Sequence, residues 1–450
     1  MKKIYLIIVA SAIVLTGCSS LHSTYVPQMI EVSDVVRYDI PVDTTSLISY
    51  QQFYRDPVLR GLIAEGLNHN SDLRVAQLNI SQARATLLGA KGLLQPTVSL
   101  NGNAPVASWD KGKGQQTYSI GPEISWEIDA FGKMTNDKKA TAAGVEEQEA
   151  YEQAVRSQLI AAIARDYYTL SMLDRQVAIT QQALHAWDEQ IQAQKALMEV
   201  GEGDASNITQ AEASQYAAET TLEQLKKQIL NTENSLSSLL GRKAAAIQRN
   251  AFSLSDVEPL IMKGIPVASL ANRPDVRQAE AVLKAAFYRT KVARAAFYPS
   301  LRLTGSGGWT NNGLAGIVNP GSILLQAAAS LAQPLLAQNQ NRANLEIAKA
   351  EQEKALIMFQ QKVLYAGNEV NNALAEHQSA QKILVLQQKQ IECLESTLGS
   401  ITKQMEYGEV NYLQVLMARQ SLLDAQLNET SSKYDIINSY ITIFQALGGL

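Results

Sequence analysis

The sequence predicts a mixed, mostly α-helical fold that is internally duplicated, each copy joining two β-strands to one long helical hairpin. Three observations carry that prediction. The first is the duplication itself. Asp72-Leu73-Arg74-Val75-Ala76 is answered 203 residues later by Asp275-Val276-Arg277-Gln278-Ala279, and Leu94-Gln95-Pro96 by Phe297-Tyr298-Pro299. Further on the spacing is 207: Val200-Gly201 pairs with Tyr407-Gly408, and Leu239-Leu240-Gly241 with Ala446-Leu447-Gly448. So long a repeat usually means two copies of one structural unit. The second observation is proline placement. Residues 123–258 and 335–450 hold no proline and are rich in Ala, Gln, Glu and Leu, which reads as long helices. The third is a period-two alternation of apolar residues between the helices, the mark of strands with two different faces.

The chain opens with Met1-Lys2-Lys3, runs apolar from Ile4 to Leu15 and reaches Leu15-Thr16-Gly17-Cys18. A basic start, a short apolar stretch and small residues before a cut describe a signal peptide over 1–17. The stretch is too short to cross about 30 Å of hydrocarbon unaided. Leu-Thr-Gly-Cys is also the pattern of a bacterial lipobox, so Cys18 is the expected lipid attachment site. Each buried methylene of its acyl chains would contribute about 0.8 kcal/mol to anchoring. Ser19, where Asp would be unfavourable, suits export to the outer membrane. Cleavage removes Lys2 and Lys3 and takes the formal net charge from −4 to −6, which argues against a nucleic-acid partner. With Cys18 acylated, Cys393 is the one other cysteine; no disulfide framework is possible, and Cys393 reads as a plain helix residue. After Cys18 no apolar run approaches the length of a transmembrane helix. That leaves a soluble body tethered by lipid, or a β-barrel.

The elements follow in order. Residues 18–55 are a lipidated, extended N-terminal segment. Repeat one, 56–241, holds short helices at about 57–94, two strands within about 97–129 and a long hairpin at about 133–240. A linker covers 242–271. Repeat two, 272–448, holds a short helix at about 273–297, two strands within about 299–334 and a hairpin at about 338–447. In the first hairpin Leu170, Val177, Leu184, Ile191 and Met198 recur every seven residues, and in the second Val363, Val370, His377, Leu384, Ile391, Leu398 and Met405 do the same. A sustained seven-residue repeat asks for left-handed supercoiling against a neighbouring helix. His377 reads as a tolerated interior residue of that seam. The leading helix of each hairpin should be about 100 Å long at 1.5 Å per residue. Gly201, Gly203 and Gly408 suit C-terminal caps, and Asp204 and Asn411 suit the N-caps of the returning helices. Two such hairpins predict a tower.

Among the strands, Tyr118, Ile120, Pro122, Ile124, Trp126 and Ile128 alternate with small or polar residues, as do Ile323, Leu325, Ala327, Ala329 and Leu331. Val98 and Leu100, then Leu301 and Leu303, begin two further alternating runs. Trp109, Trp126 and Trp309 fall in or beside them, as expected of membrane-interface aromatics. Four strands cannot close a barrel, and open edges in hydrocarbon leave backbone groups unpaired at several kcal/mol each. Three copies would supply 12 strands, so a homotrimer is expected.

Several ordered motifs carry a resemblance. Asn272-Arg273-Pro274-Asp275-Val276-Arg277-Gln278-Ala279-Glu280, then Ala293-Arg294-Ala295-Ala296-Phe297-Tyr298-Pro299-Ser300-Leu301, resembles the signature of the TolC-like outer-membrane efflux proteins. Trp126-Glu127-Ile128-Asp129-Ala130-Phe131-Gly132-Lys133 is similar to that family's strand-to-helix junction. Cys18 points to the lipoprotein branch. The resemblance spans about 50–448. It implies a trimer with a 12-stranded barrel in the outer membrane, continued by a periplasmic α-barrel. It implies a periplasmic adaptor and an inner-membrane pump of the resistance-nodulation-division (RND) type as partners, beside outer-membrane lipids. The expected function is therefore a passive exit duct for small molecules; a type I protein-secretion outlet and a coiled-coil envelope lipoprotein without a pore are the alternatives. No enzyme activity, cofactor or metal is expected. There is no G-x-x-x-x-G-K loop, no nucleophile with its base, and His22, His69, His185 and His377 are scattered singly.

A gate is expected where the hairpins turn, at 199–212 and 406–419. In many relatives acidic residues on the helix after the second turn form the narrowest ring. The matching positions here are Gln414 and Met417, both uncharged, which argues against a cation-selective carboxylate ring. Gly201, Glu202, Asp204, Tyr407, Gly408, Glu409 and Asn411 are the tip and adaptor-contact candidates, with Tyr412 as a further docking residue and Glu199 and Glu406 as neighbouring acids. By family analogy the second hairpin is the mobile one.

Overall fold

The computed structural model describes residues 23–27, 49–104, 106–107, 115–116, 119–201, 204–251, 253–254, 272–310, 322–333, 339–407, 410–446 and 448–449. Its helices are α1 (Tyr50–Phe53), α2 (Pro57–His69), α3 (Ser71–Gly92), α4 (Lys133–Glu199), α5 (Ala205–Leu239), α6 (Pro274–Ala295), α7 (Gln340–Glu406) and α8 (Tyr412–Ala446). Its strands are β1 (Thr97–Asn103), β2 (Val106–Ala107), β3 (Gln115–Gln116), β4 (Ser119–Ile128), β5 (Ser300–Thr310) and β6 (Ser322–Ala332). The chain divides into two compact units: 1–29, 78–150 and 277–362 form one, and 30–77, 151–276 and 363–450 the other.

The duplication is exact in the hairpins. α4 and α7 each have 67 residues, and α5 and α8 each have 35, so both pairs stand in register at a spacing of 207. β4 and β6 still start at a spacing of 203. The four extra residues therefore enter between β6 and α7. There Asn339 (φ 61°) occupies the left-handed position that Gly132 (φ 72°) holds before α4. Asn is the side-chain-bearing residue that enters this region most cheaply, and each carbonyl then accepts the first helical bond, from Asn136 N and Ala343 N at 2.9 Å.

The first unit holds the sheet, in the order β1-β4-β5-β6 and antiparallel throughout. The β2–β3 ribbon beside it pairs only two residues on each side, too short for any period to announce in sequence. The predicted helical stretch at 57–94 is interrupted at Asn70, whose side chain accepts from Asp72 N and Leu73 N and so starts α3 afresh.

In the second unit a core gathers Phe53, Tyr54, Ile63, Ile160, Ile163, Leu170, Leu236, Ile437 and Phe444. Phe53 stacks on Phe444 with centroids 4.4 Å apart. Beside it lies a polar knot centred on the buried Asp56 and Tyr167. Asp56 caps α2 through Val58 N (2.8 Å) and accepts from Tyr167 OH and from Asn250 Nδ2 (3.0 Å). Asn70 and Arg273, 203 residues apart, do the same job with different chemistry. Asn70 Nδ2 donates to Leu239 O (3.0 Å) and Arg273 Nη1 to Ala446 O (2.8 Å), the equivalent carbonyls that end α5 and α8.

The heptad series of α7 is buried or half-buried from Val363 to Met405, whereas that of α4 ends exposed at Met198. His377 is buried, takes Ser439 Oγ as a partner at 2.9 Å and packs its ring 4.5 Å from that of Tyr440. Burial lowers its pKa below 6.5. The unfolded chain then takes up this proton near pH 6.5 and the folded chain only at lower pH, so stability contributed here is lost as pH falls from 6.5. Asp435 nearby is raised, first by burial and then by Glu376, and acts with the opposite sign. We therefore expect His377→Leu, which installs the repeat-one residue Leu170, to reduce the drop in melting temperature between pH 7.5 and 5.5 relative to wild type.

Candidate functional site: a two-faced sheet and the helical turns

Strand register sorts the sheet into two faces. On one, Val98 and Leu100 of β1 stand opposite Ile124 and Pro122 of β4, Trp126 opposite Leu303 of β5, and Leu301 and Trp309 opposite Leu331 and Ile323 of β6. This face is apolar and bare: Val98 is 70% exposed and Leu325 80%. A contiguous exposed apolar surface of this kind signals a partner or a membrane. The other face carries Ser99, Asn101, Glu123, Ser125, Glu127, Arg302, Thr304 and Ser330. Asn101 Nδ2 donates to Glu123, and Arg302 lies 3.8 Å from Glu127 across the strand pair. The same alternation that named the apolar positions would have named these polar ones.

Trp126 and Trp309 both sit on the apolar face. Trp309 is opposite Ile120, and Trp126 lies six residues further along β4, about 20 Å at 3.3 Å per residue. That matches the two aromatic girdles that flank an apolar band about 25 Å tall. Trp126 Nε1 donates to Leu94 O (3.1 Å), tying its indole to the end of α3. Trp109 and Cys18 lie outside the described residues.

At the turns, Gly201 takes the left-handed conformation (φ 81°) directly after α4. Asp204 caps α5 by accepting from Ser206 N at 2.9 Å, and these bonds to Ser206 lower its pKa. Asn411 caps α8 through Leu413 N at 3.2 Å. Glu202, Gly408 and Glu409 lie outside the described residues. Tyr407 is 82% exposed. Gln414 is exposed and Met417, one turn on along the same face of α8, is 63% exposed. Behind them Tyr412 and Leu416 are buried with Trp187, Ile191, Ile208 and Ala211. Tyr412 is therefore a core residue, and the docking role expected of it is corrected: an aromatic at the first position of α8 points along the seam, as the apolar Leu416 does one turn later. Burial raises its phenol pKa, with Arg419 opposing.

Polar detail in this seam gave no sequence signal. Arg419 Nη1 donates to Ala186 O (3.3 Å), and Lys195 pairs with Glu212 (2.9 Å) between α4 and α5. Trp187 Nε1 and Tyr412 OH are buried without a hydrogen-bond partner, each costing about 1–3 kcal/mol. Among the described residues no group of three or more His, Cys, Asp or Glu side chains is placed to hold a metal ion, and no helix is long and apolar enough to cross a membrane.

The model of the family described as "Outer membrane efflux protein" matches residues 62–242 and 265–449. The chain is 27% identical to "Probable outer membrane lipoprotein SilC" of Salmonella typhimurium, over 100% of this chain and 99% of that protein. It is 28% identical to "Cation efflux system protein CusC" of Escherichia coli, over 97% of each. It is equally 28% identical to "Toluene efflux pump outer membrane protein TtgF" of Pseudomonas putida, over 89% of this chain and 85% of that one. A crystal structure of CusC superposes with a TM-score of 0.85 at 25% identity, covering 94% of this chain and 100% of that chain.

Proposed function

The chain belongs to the outer membrane efflux protein family, and we propose that it is the outer-membrane exit duct of a tripartite efflux system, working as a homotrimer. The carrying observation is the sheet: four strands, two faces, tryptophans at both ends, and two edges, β1 and β6, with no partner among the described residues. Unpaired edges in hydrocarbon cost several kcal/mol per group. Three copies joined β1 to β6 remove every edge, turn the apolar faces to lipid and enclose the polar faces around water. Exposed apolar residues on α3, α5 and α7, such as Leu88, Leu230, Ile357 and Leu386, are then covered by helices of neighbouring copies.

The duct has no reaction to catalyse, so its energy comes from a pump in the inner membrane, of RND type, reached through a periplasmic adaptor. Tyr407 with Gly201, Glu202, Asp204, Gly408, Glu409 and Asn411 offers the adaptor surface. That the relatives are named as parts of efflux systems supports small-molecule efflux over protein secretion. Equal identity to a cation-efflux and a toluene-efflux component favours neither client, as befits a conduit whose pump selects the cargo. Cys18 carries the lipid anchor, in keeping with the lipoprotein named among the relatives.

Gln414 and Met417 form the constriction. Parting α8 from α4 would return Trp187 Nε1 and Tyr412 OH, buried without partners, to water, which offsets part of the loss of the Arg419–Ala186 bond. Gln414→Ala with Met417→Ala should therefore raise single-channel conductance in planar bilayers and sensitise cells to vancomycin. Unchanged values in both assays would move the constriction elsewhere.

A further inference from the structure

Two features of the first unit bear on the lipid anchor. One is a groove of about 360 Å³ in the apolar face of the sheet, lined on that face by Pro122, Ile124, Gly305, Gly307, Leu325 and Ala327. It exists because β5 places glycine at two successive apolar-face positions between Leu303 and Trp309. The other is the N-terminal segment 23–27, which is held against α6. Lys291 is buried, and its ammonium donates to Ser23 O (2.6 Å) and Ser23 Oγ while lying 4.9 Å from the Phe287 ring centroid. Tyr25 packs edge-on against Phe287 at 5.7 Å, and its backbone N–H donates to Tyr288 OH (3.4 Å).

This clasp fixes where the anchor can be. Ser23 lies five positions after Cys18, a reach of at most about 18 Å. Lys291 lies one helical turn from the end of α6, and β5 starts at Ser300, directly after the turn that follows. That reach extends to the base of β5. Gly305 lies five residues up that strand, about 17 Å, and an acyl chain spanning one leaflet covers about 15 Å.

We propose that an acyl chain on Cys18 of the same polypeptide occupies the groove at Gly305 and Gly307. The proposal rests on the outer-membrane lipoprotein reading above. The groove walls are apolar, so a chain seated there replaces bulk lipid at no polar cost, and its tether raises its local concentration over that of free lipid. The clasp at Lys291 then acts on the barrel through the lipid: it aligns the anchor with the strand that the anchor covers.

The test uses full-length protein from cells fed a diazirine-bearing fatty acid. Outer membranes are irradiated, the protein is digested, and crosslinks are mapped from the Cys18 lipopeptide, whose mass distinguishes it from free phospholipid. We expect that lipopeptide joined mainly to the segment from Leu303 to Leu331. The yield should fall several-fold in Gly305→Leu, whose new side chain enters open space, since a Cβ there comes no nearer than 3.9 Å to Gln326 O. Trimer content and conductance should be unchanged in that variant. Phospholipid adducts without the lipopeptide at this segment, or lipopeptide crosslinks that Gly305→Leu leaves unchanged, would overturn the proposal. Absence of any acylated Cys18 peptide would overturn the lipoprotein reading itself, and is recognised separately before irradiation.

Discussion

Arg273→Ala should lower the stability of the purified protein by about 3 kcal/mol. Arg273 is only 8% exposed and holds three elements at once. It donates to Ala446 O at the end of α8, to Glu369 Oε2 of α7 (2.6 Å), and to both oxygens of Asp275 at the start of α6 (3.0 Å). Removing it strands a helix-terminal carbonyl and takes the guanidinium away from Asp275 and Glu369. The figure sits at the low end for a broken buried ion pair because Glu369 is half exposed and water screens it. The guanidinium-chloride midpoint in detergent measures the change. Glu369→Gln should cost only about 1 kcal/mol, because a neutral acceptor remains. Arg273→Asn, the residue that repeat one uses at Asn70, should recover part of the loss by restoring a donor to Ala446 O. If alanine and asparagine were equally destabilising, the carbonyl contact would not be the source of the effect.

A larger effect is expected at the centre of the sheet. The β4–β5 ladder pairs Ile120 with Trp309 and resumes at Glu123 with Ser306, leaving a gap at Gly121-Pro122 and Gly307-Gly308. Pro122 has no N–H to give, which is why a central strand tolerates it only where pairing is already interrupted. In that gap the two backbones close on each other. A Cβ on Gly121 would stand 2.2 Å from Gly307 O, and one on Gly308 would stand 2.5 Å from Ile120 O. Gly121→Val must push the strands apart, at or above the upper end of the about 1–3 kcal/mol typical of overpacking. The folded, heat-modifiable band in unheated SDS gels of outer membranes should largely disappear. Gly102→Val is the control, since a Cβ at Gly102 meets nothing within 4 Å; it should fold like wild type. Equal loss in both variants would mean that strand propensity, not the close approach, governs assembly.

What could be read in the sequence was whatever repeats or alternates. The heptads and the proline-free stretches placed α4, α5, α7 and α8 to within a residue or two at each end, and the caps at Asp204 and Asn411 fell where their side chains suggested. The alternation placed the four long strands and, on them, Trp126 and Trp309. The change of spacing from 203 to 207 was visible only as lying somewhere between 100 and 170. The structure narrows it to the joint between β6 and α7, because Asn339 disguises the position that Gly132 marks openly. Single polar contacts across the fold left no trace in any period. The seam of Trp187, Tyr412 and Arg419 is of that kind, as are the knot of Asp56, Tyr167 and Asn250 and the clasp of Lys291 on Ser23. Tyr412 was misread because an aromatic beside a turn looks the same in sequence whether it faces solvent or the neighbouring helix. The exchange of Asn70 for Arg273 was hidden in another way: the residues differ, and only the carbonyls they reach show that the role is shared.

The central claim is that the sheet is a stave of a water-filled barrel, with its polar face inward. Thiol labelling of single cysteines in a Cys393→Ser background tests it most directly, using a charged, membrane-impermeant methanethiosulfonate on intact outer membranes. Thr304→Cys and Ser125→Cys, on the polar face, should react and lower the conductance of the purified channel. Leu303→Cys and Ile124→Cys, their neighbours on the apolar face, should remain unlabelled. Equal reaction on both faces, or labelling of the apolar face alone, would contradict the account.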